Sequence, residues 1–250
     1  MPPEPALDDR QALACLLRIL APTWQENFAG HITVATDDGS MLVNPWGLWW
    51  EEVTAADIVR VAADGRVVEG RWDVTPAVHL HTELHRARTD ARVIVHNHPP
   101  AATALACLGL EPVIAHQNSA IFAADIVVVD EYDGTVESAA AGSRLAAAIG
   151  SATCVVLANH GAIVTAGTFA EAAYKAVTFE RMCALTLAAS QTGTRLRPLP
   201  PAVLAPLKDE LYRNAPAAFW GGAVRGLLAR EPSTINLNAG NLNAGEGGAP

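Results

Sequence analysis

Residues 93–100 read VIVHNHPP, and no other stretch limits so strongly what this chain can fold into. Three consecutive β-branched residues specify a strand, and an unbroken apolar run is what a strand covered on both faces looks like. Pro99 and Pro100 then end it, because proline cannot donate to a ladder. The strand therefore delivers His96 and His98 at its end. Side chains at i and i+2 of a strand leave on the same face, so the two imidazoles converge if the strand persists through them. A second apolar strand, ATCVVLANHG, ends in His160, and Gly161 after it lets a backbone or ligand approach closely. Neutral imidazole is the commonest protein ligand for zinc and related metals. A catalytic site needs three such donors and an open position. His96, His98 and His160 are the candidate set.

The remaining pattern alternates helices and strands, which makes the class α/β or α+β. Apolar spacing after acidic residues predicts a helix over 7–20. HITVAT and SMLVNP flank Asp37-Asp38-Gly39-Ser40, a hairpin signal. Thr54 with Asp57 three residues later predicts a short capped helix over 54–63, and GRVVEG a short strand. Helices are expected over 76–89, entered through Pro76, and over 101–108 and 136–149. ADIVVVDEY reads as a strand that ends before a turn at Tyr132 and Asp133. Thr168 and Glu171 form a capping box for a long helix over 168–190. After residue 191 a proline-rich linker leads to one or two helices within 203–230, anchored by Tyr212, Phe219 and Trp220. The expected organisation is a catalytic domain over 1–195, a helical extension over 196–235 and a disordered tail over 236–250, where NLNAG repeats.

Seventeen basic against 26 acidic residues give a net charge of -9. That field disfavours nucleic acid and anionic membranes as partners. No run reaches 18 apolar residues, and the first ten residues lack the layout of a signal peptide. The four cysteines lie far apart without a CxxC spacing and read as small buried hydrophobes in a reducing compartment. The expected localisation is cytoplasmic.

The order GHITVAT, LVNPWGLWWEEVTAADIVRVAADGRVVEG, LHTELHRARTDARVIVHNHP and VVLANHGAIV resembles the class II aldolase/adducin superfamily from about residue 10 to residue 190. The resemblance implies a three-layer α/β/α fold with a central, mostly antiparallel sheet, in a homo-oligomer that is often a fourfold-symmetric tetramer. It also implies one divalent metal per subunit, held by His96, His98 and His160. Zn²⁺ and Mn²⁺ are the first candidates, with Fe²⁺ and Co²⁺ also suited to three imidazoles. An intact triad argues against a non-enzymatic, adducin-like assembly module.

Departures from the sugar-phosphate aldolases of that family narrow the chemistry. Their PSSE stretch, which holds phosphate and a catalytic glutamate, is Thr75 to Val78 here, with Ala77 at the glutamate position. His31 replaces the asparagine of a phosphate loop. In the turn Pro45-Trp46-Gly47 an indole stands where a small hydroxyl residue would meet phosphate. Three phosphate features are altered together, and flat apolar surface is gained at Trp46, Trp49 and Trp50. His31, Trp46, Gly47 and Thr75 are the candidate substrate-binding residues.

The pattern is closer to a branch of the family that decarboxylates hydroxylated aromatic carboxylates, including dihydroxyphthalate and pyridine dicarboxylates. With Ala77 unable to move a proton, a histidine is the natural donor. His116 is the first choice, since it aligns with a tyrosine supplied by a neighbouring subunit in the aldolases, and His79 is the second. His79 and His81 cannot share a helix face, so at most one points at the metal. Glu83 is expected on a solvated helix face or behind a ligating imidazole. Arg213 and Arg225 could reach a substrate carboxylate if the tail folds over the site. The leading expectation is a decarboxylase of a small aromatic hydroxy-carboxylate. The alternatives are an aldolase or retro-aldolase on a non-phosphorylated hydroxy-carbonyl compound and an Fe(II)-dependent oxygenase.

Overall fold

The structure is a computed structural model that describes residues 5–131 and 134–238. Helix α1 (Asp9–Leu20) starts where Asp8 and Gln11 cap each other, and its face of Leu13, Leu16, Leu17 and Leu20 is fully buried. The hairpin forms as its turn residues demand, joining β1 (His31–Ala35) to β2 (Met41–Val43), with Gly39 at φ +80°. The helix expected over 54–63 does not form. Thr54 and Asp57 do cap each other, but only a 3-10 turn over Ala55–Asp57 follows, and the chain then extends into β3 (Val59–Val61). The alternating Val-Arg-Val buries both valines between β2 and β4 (Val67–Glu69), so sheet pairing overrides the helix signal.

Helix α2 (Val78–Ala87) leads to β5 (Val93–Asn97), and α3 (Pro100–Leu108) takes Pro100 into its first turn. Strand β6 (Ile126–Val129), α4 (Ala139–Ile149) and β7 (Cys154–Leu157) follow, and then β8 (Gly161–Ala166), which the sequence reading missed. Helix α5 (Phe169–Gln191) is capped by Thr168, although Glu171 accepts from Gly167 N instead of closing the box. One long helix, α6 (Pro201–Arg230), contains Pro206 and Pro216. The turn at Tyr132 and Asp133 and all but residues 236–238 of the tail lie outside the described residues.

The strands form one sheet in the order β4-β3-β2-β1-β5-β8-β7-β6, antiparallel except for β6 against β7. Period-two alternation sorts its side chains. Ile32, Val34, Val93 and Val95 face a core built with α1, α3, α5 and α6, to which Leu211, Trp220, Val224 and Leu227 of α6 contribute. Ile94, Val155 and Ile163 face the other layer, α2 and α4. His31, Thr33 and His96 fall on that second face by the same alternation. Three cysteines are buried as expected, but Cys107 is exposed on α3. No helix of the described residues is long and apolar enough to cross a membrane.

Candidate metal centre

His96 lies in the middle of the sheet, opposite His31 on β1 and Ile163 on β8. His98 follows just beyond the strand end. His160 closes the tight β7–β8 turn, in which Leu157 pairs with Gly161 and Asn159 takes φ +53°, a left-handed conformation that asparagine tolerates. The three imidazoles offer ligand atoms that all lie within 4.8 Å of one another, and no other such cluster occurs among the described residues.

Asn97, between the two histidines, points to the opposite face. Its amide donates to Trp24 O (2.8 Å) and Asn27 Oδ1 (3.0 Å), and its Oδ1 accepts from His98 N (2.7 Å). The strand end is thereby tied to the α1 layer while both histidines remain on the α2 side. A Cβ on Gly161 would lie 2.6 Å from Asn97 O and 2.8 Å from His98 Cδ2, which is why glycine follows the third histidine. Glu180 on α5 accepts from Ala101 N (2.7 Å) and Ala102 N (3.0 Å), fixing the first turn of α3 directly after the prolines. Burial raises its pKa, with those two backbone donors opposing the rise.

The donor set suits a divalent ion. His96 Nδ1–H donates to Ala162 O (3.0 Å), which leaves Nε2 as the lone pair. His98 Nδ1 pairs with Glu26 Oε2 (2.8 Å), so Nε2 is again the nitrogen left to ligate. Burial, then His31, His160 and His98, hold His96 well below its ordinary pKa. Burial and His98 bring His160 down to about 4. Neutral rings are what a metal requires. Glu26 sits at φ +60°, a conformation that strains a residue with a side chain. Nothing in QENF announces that role, and the sequence reading missed it.

The triad opens into a cavity of about 270 Å³ whose wall includes His31, Trp46, Thr75, Ala77 and Glu137. Thr75 and His31 are buried, and Trp46 is half exposed and lines the cavity. Gly47, at φ +84°, shapes the turn that presents Trp46 but is not part of the wall. Trp50 is fully buried, its indole N–H donating to Gly30 O (3.1 Å), and exposed Trp49 packs on Phe28. Of the three neighbouring tryptophans only Trp46 meets the cavity. Glu137 also went unnoticed in the sequence, because its segment carries no motif.

His79 does not meet the cavity: it lies against Gly65 in the β3–β4 turn. His116 does not line its own chain's cavity either. It precedes the 3-10 turn over Gln117–Phe122, its Nε2 is buried without a partner, and burial and Arg181 lower its pKa. Glu83 neither backs a ligand nor faces solvent; it is buried against Arg86 and Ser143 of α4. Arg213 and Arg225 are exposed on α6, away from the cavity. A larger cavity of about 600 Å³ lies at the opposite strand ends, between α2 and the β1–β2 turn, and holds no ligand cluster.

The Class II Aldolase and Adducin N-terminal domain family matches residues 10–187. The 3,4-dihydroxyphthalate decarboxylase of Arthrobacter keyseri is 31% identical over 215 residues, covering 80% of this chain and 86% of that protein. The 4-hydroxy-3-prenylphenylpyruvate oxygenase/4-hydroxy-3-prenylbenzoate synthase of Streptomyces roseochromogenus is 30% identical over 173 residues, 68% of this chain and 62% of that protein. Among solved structures, L-fuculose 1-phosphate aldolase from Glaciozyma antarctica superposes with a TM-score of 0.79 at 22% identity over 91% of each chain.

Proposed function

The chain belongs to the Class II aldolase and adducin family, and on that premise we propose that it is a metal-dependent carbon–carbon lyase. Its reaction is the non-oxidative decarboxylation of a hydroxylated aromatic or heteroaromatic carboxylate. The observation that carries this reading is the composition of one small cavity. Three converging imidazoles share it with Trp46, Thr75 and Ala77, and the resemblance to the aldolases implies that Ala77 takes the place of their catalytic glutamate. A volume near 270 Å³ lies just below the usual range for small-molecule sites, roughly 300–1,000 Å³, and suits a single ring. The similarity to a dihydroxyphthalate decarboxylase supports the same substrate class.

His96, His98 and His160 would hold a divalent ion, which would supply Lewis-acid stabilisation of the negative charge left when the carboxylate departs. The chain's residues do the rest. Trp46 offers a flat face to the ring. Thr75 and His31 meet its polar substituents. The ring carbon must regain a proton once carbon dioxide leaves. We assign its donation to protonated His116 of a second copy in a homo-oligomer, with Glu137 of this chain's own cavity wall returning a proton from solvent to that imidazole. The likeness to an oxygenase favours one second reading, an Fe(II)-dependent oxygenase on the same triad.

The test is carbon dioxide release under anaerobic conditions from hydroxyphthalates, hydroxybenzoates and hydroxypyridine carboxylates. The protein would be loaded with Mn²⁺, Zn²⁺ or Fe²⁺, with His98→Ala as control. Release by the wild type alone is expected. Release that requires oxygen would favour the second reading, and none from metal-loaded protein with or without oxygen would overturn both.

A further inference from the structure

Beside the triad, four side chains form a continuous buried chain of hydrogen bonds between β1 and α2. His31 Nδ1 meets His81 Nε2 at 2.6 Å, and His81 Nδ1 meets Thr33 Oγ1 at 2.6 Å. Thr33 Oγ1 meets His85 Nε2 at 2.8 Å, and His85 Nδ1 meets Ala91 O at 2.8 Å. The geometry is built into the elements: residues 31 and 33 share one face of a strand, and residues 81 and 85 share one face of a helix.

The direction of every bond follows from its far end. A backbone carbonyl only accepts, so His85 carries its proton on Nδ1 and its Nε2 is a lone pair. Thr33 has one hydroxyl hydrogen and must give it to that lone pair. Its oxygen then accepts from His81 Nδ1–H, which makes His81 Nε2 a lone pair. That nitrogen accepts from His31 Nδ1–H. A neutral His31 is left with a bare Nε2. His31 is 96% buried yet lines the cavity, and Nε2 has no partner among the described residues. No carboxylate takes part in this chain, and three rings linked to one another and to a hydroxyl in the interior are neutral, since a charge there would be uncompensated. Closure on a carbonyl also excludes a proton wire, since Ala91 O has no proton to pass inward.

We propose that His31 is a hydrogen-bond acceptor locked in one tautomer, whose Nε2 selects a ligand that presents a hydroxyl beside the metal centre. Thr33, His81 and His85 are positioning residues that impose the tautomer. The hydroxyl-bearing class rests on the function proposed above; the tautomer does not. A ring with a methyl ether at that place leaves Nε2 buried and unpaired, which lowers affinity by roughly 10- to 100-fold.

The first test is a long-range ¹H–¹⁵N spectrum of the full chain with labelled histidine, recorded without metal. His31 is expected to show a protonated Nδ1 and a pyridine-type Nε2. Thr33→Val should release the second tautomer, and Thr33→Ser should restore the first. A proton on Nε2 in the wild type, or an unchanged His31 signal in Thr33→Val, would overturn the lock. The wild-type spectrum decides even if that variant does not fold.

The second test compares 2,3-dihydroxybenzoate with its 3-methyl ether on Zn²⁺-loaded protein; both keep the carboxylate–2-hydroxyl pair, and taking the ratio in wild type against Thr33→Val cancels the catechol pair that only the first compound has. The affinity ratio should shrink in Thr33→Val, and an equal ratio in both proteins would overturn the recognition role. If neither compound binds while His31 shows the assigned tautomer, the acceptor stands and the aromatic substrate class falls.

Discussion

Replacing Gly161 by alanine separates the metal centre from the fold around it. The backbone of Gly161 is not in a left-handed conformation, so alanine meets no torsional penalty, and the effect is purely one of space. The new methyl carbon would lie 2.6 Å from Asn97 O and 2.8 Å from His98 Cδ2, against an ordinary contact distance of 3.4 Å. The shortfall at Asn97 O, about 0.8 Å, must be met by parting β5 from β8 at their last rung, Asn97 opposite Ala162. The separate shortfall at His98 Cδ2, about 0.6 Å, must be met by moving the His98 ring. Overpacking of this kind destabilises by about 1–3 kcal/mol. Metal sites tolerate ligand displacements of about 0.2 Å, so His98 leaves the site before the sheet fails. Metal affinity should fall by at least 100-fold, while the metal-free variant still melts cooperatively at a modestly lower temperature. The assays are competition with a chromophoric chelator and thermal unfolding of the metal-free protein. Wild-type affinity in Gly161→Ala would refute the claim that this glycine spaces His98 for the metal.

Three further outcomes follow from the same geometry. Glu26→Gln keeps the shape but removes the carboxylate behind His98, and metal affinity should drop about 10-fold, the low end of such effects, because the Glu26 side chain is 63% exposed; no change by chelator competition would remove Glu26 from the site. Glu180→Gln can accept from only one of Ala101 N and Ala102 N, so stability to urea should fall by about 1–3 kcal/mol, and an unchanged midpoint would contradict its role at α3. Metal-free protein should lose stability in acid through His85, whose folded value of about 4 lies below the ordinary 6.5. A lowered histidine value means that the unfolded chain binds the proton first, so stability is full above pH 6.5 and falls as pH drops from 6.5 to 4. His85 alone accounts for about 3 kcal/mol, and a flat stability between those values would contradict a buried neutral His85.

The sequence made the central strand and its histidines legible because local rules act there without competition. β-branched residues followed by two prolines leave one reading, and the i, i+2 spacing of His96 and His98 then fixes their common face. Turn chemistry at Asp37 to Ser40 and the cap at Thr168 are local in the same way. Where the reading missed, a distant partner decided the outcome. Residues 59–61 become a strand because β2 and β4 lie on either side. Strand β8 was hidden behind Gly161, whose role is to let the Asn97 carbonyl come close. The partners that orient the site are encoded in no motif: Glu26 lies 72 residues from His98, and His85 lies 52 from Thr33. His81 and His79 differ by two positions on α2, and the helix sends one into the hydrogen-bonded chain and the other toward Gly65.

Metal stoichiometry tests the central claim most directly. Protein stripped with a chelator and titrated calorimetrically with Zn²⁺ should bind one ion per chain, and His96→Ala with His160→Ala in the same chain should bind none while remaining folded. Tight binding of one ion by that double variant, or no binding by the wild type, would contradict a centre built from His96, His98 and His160.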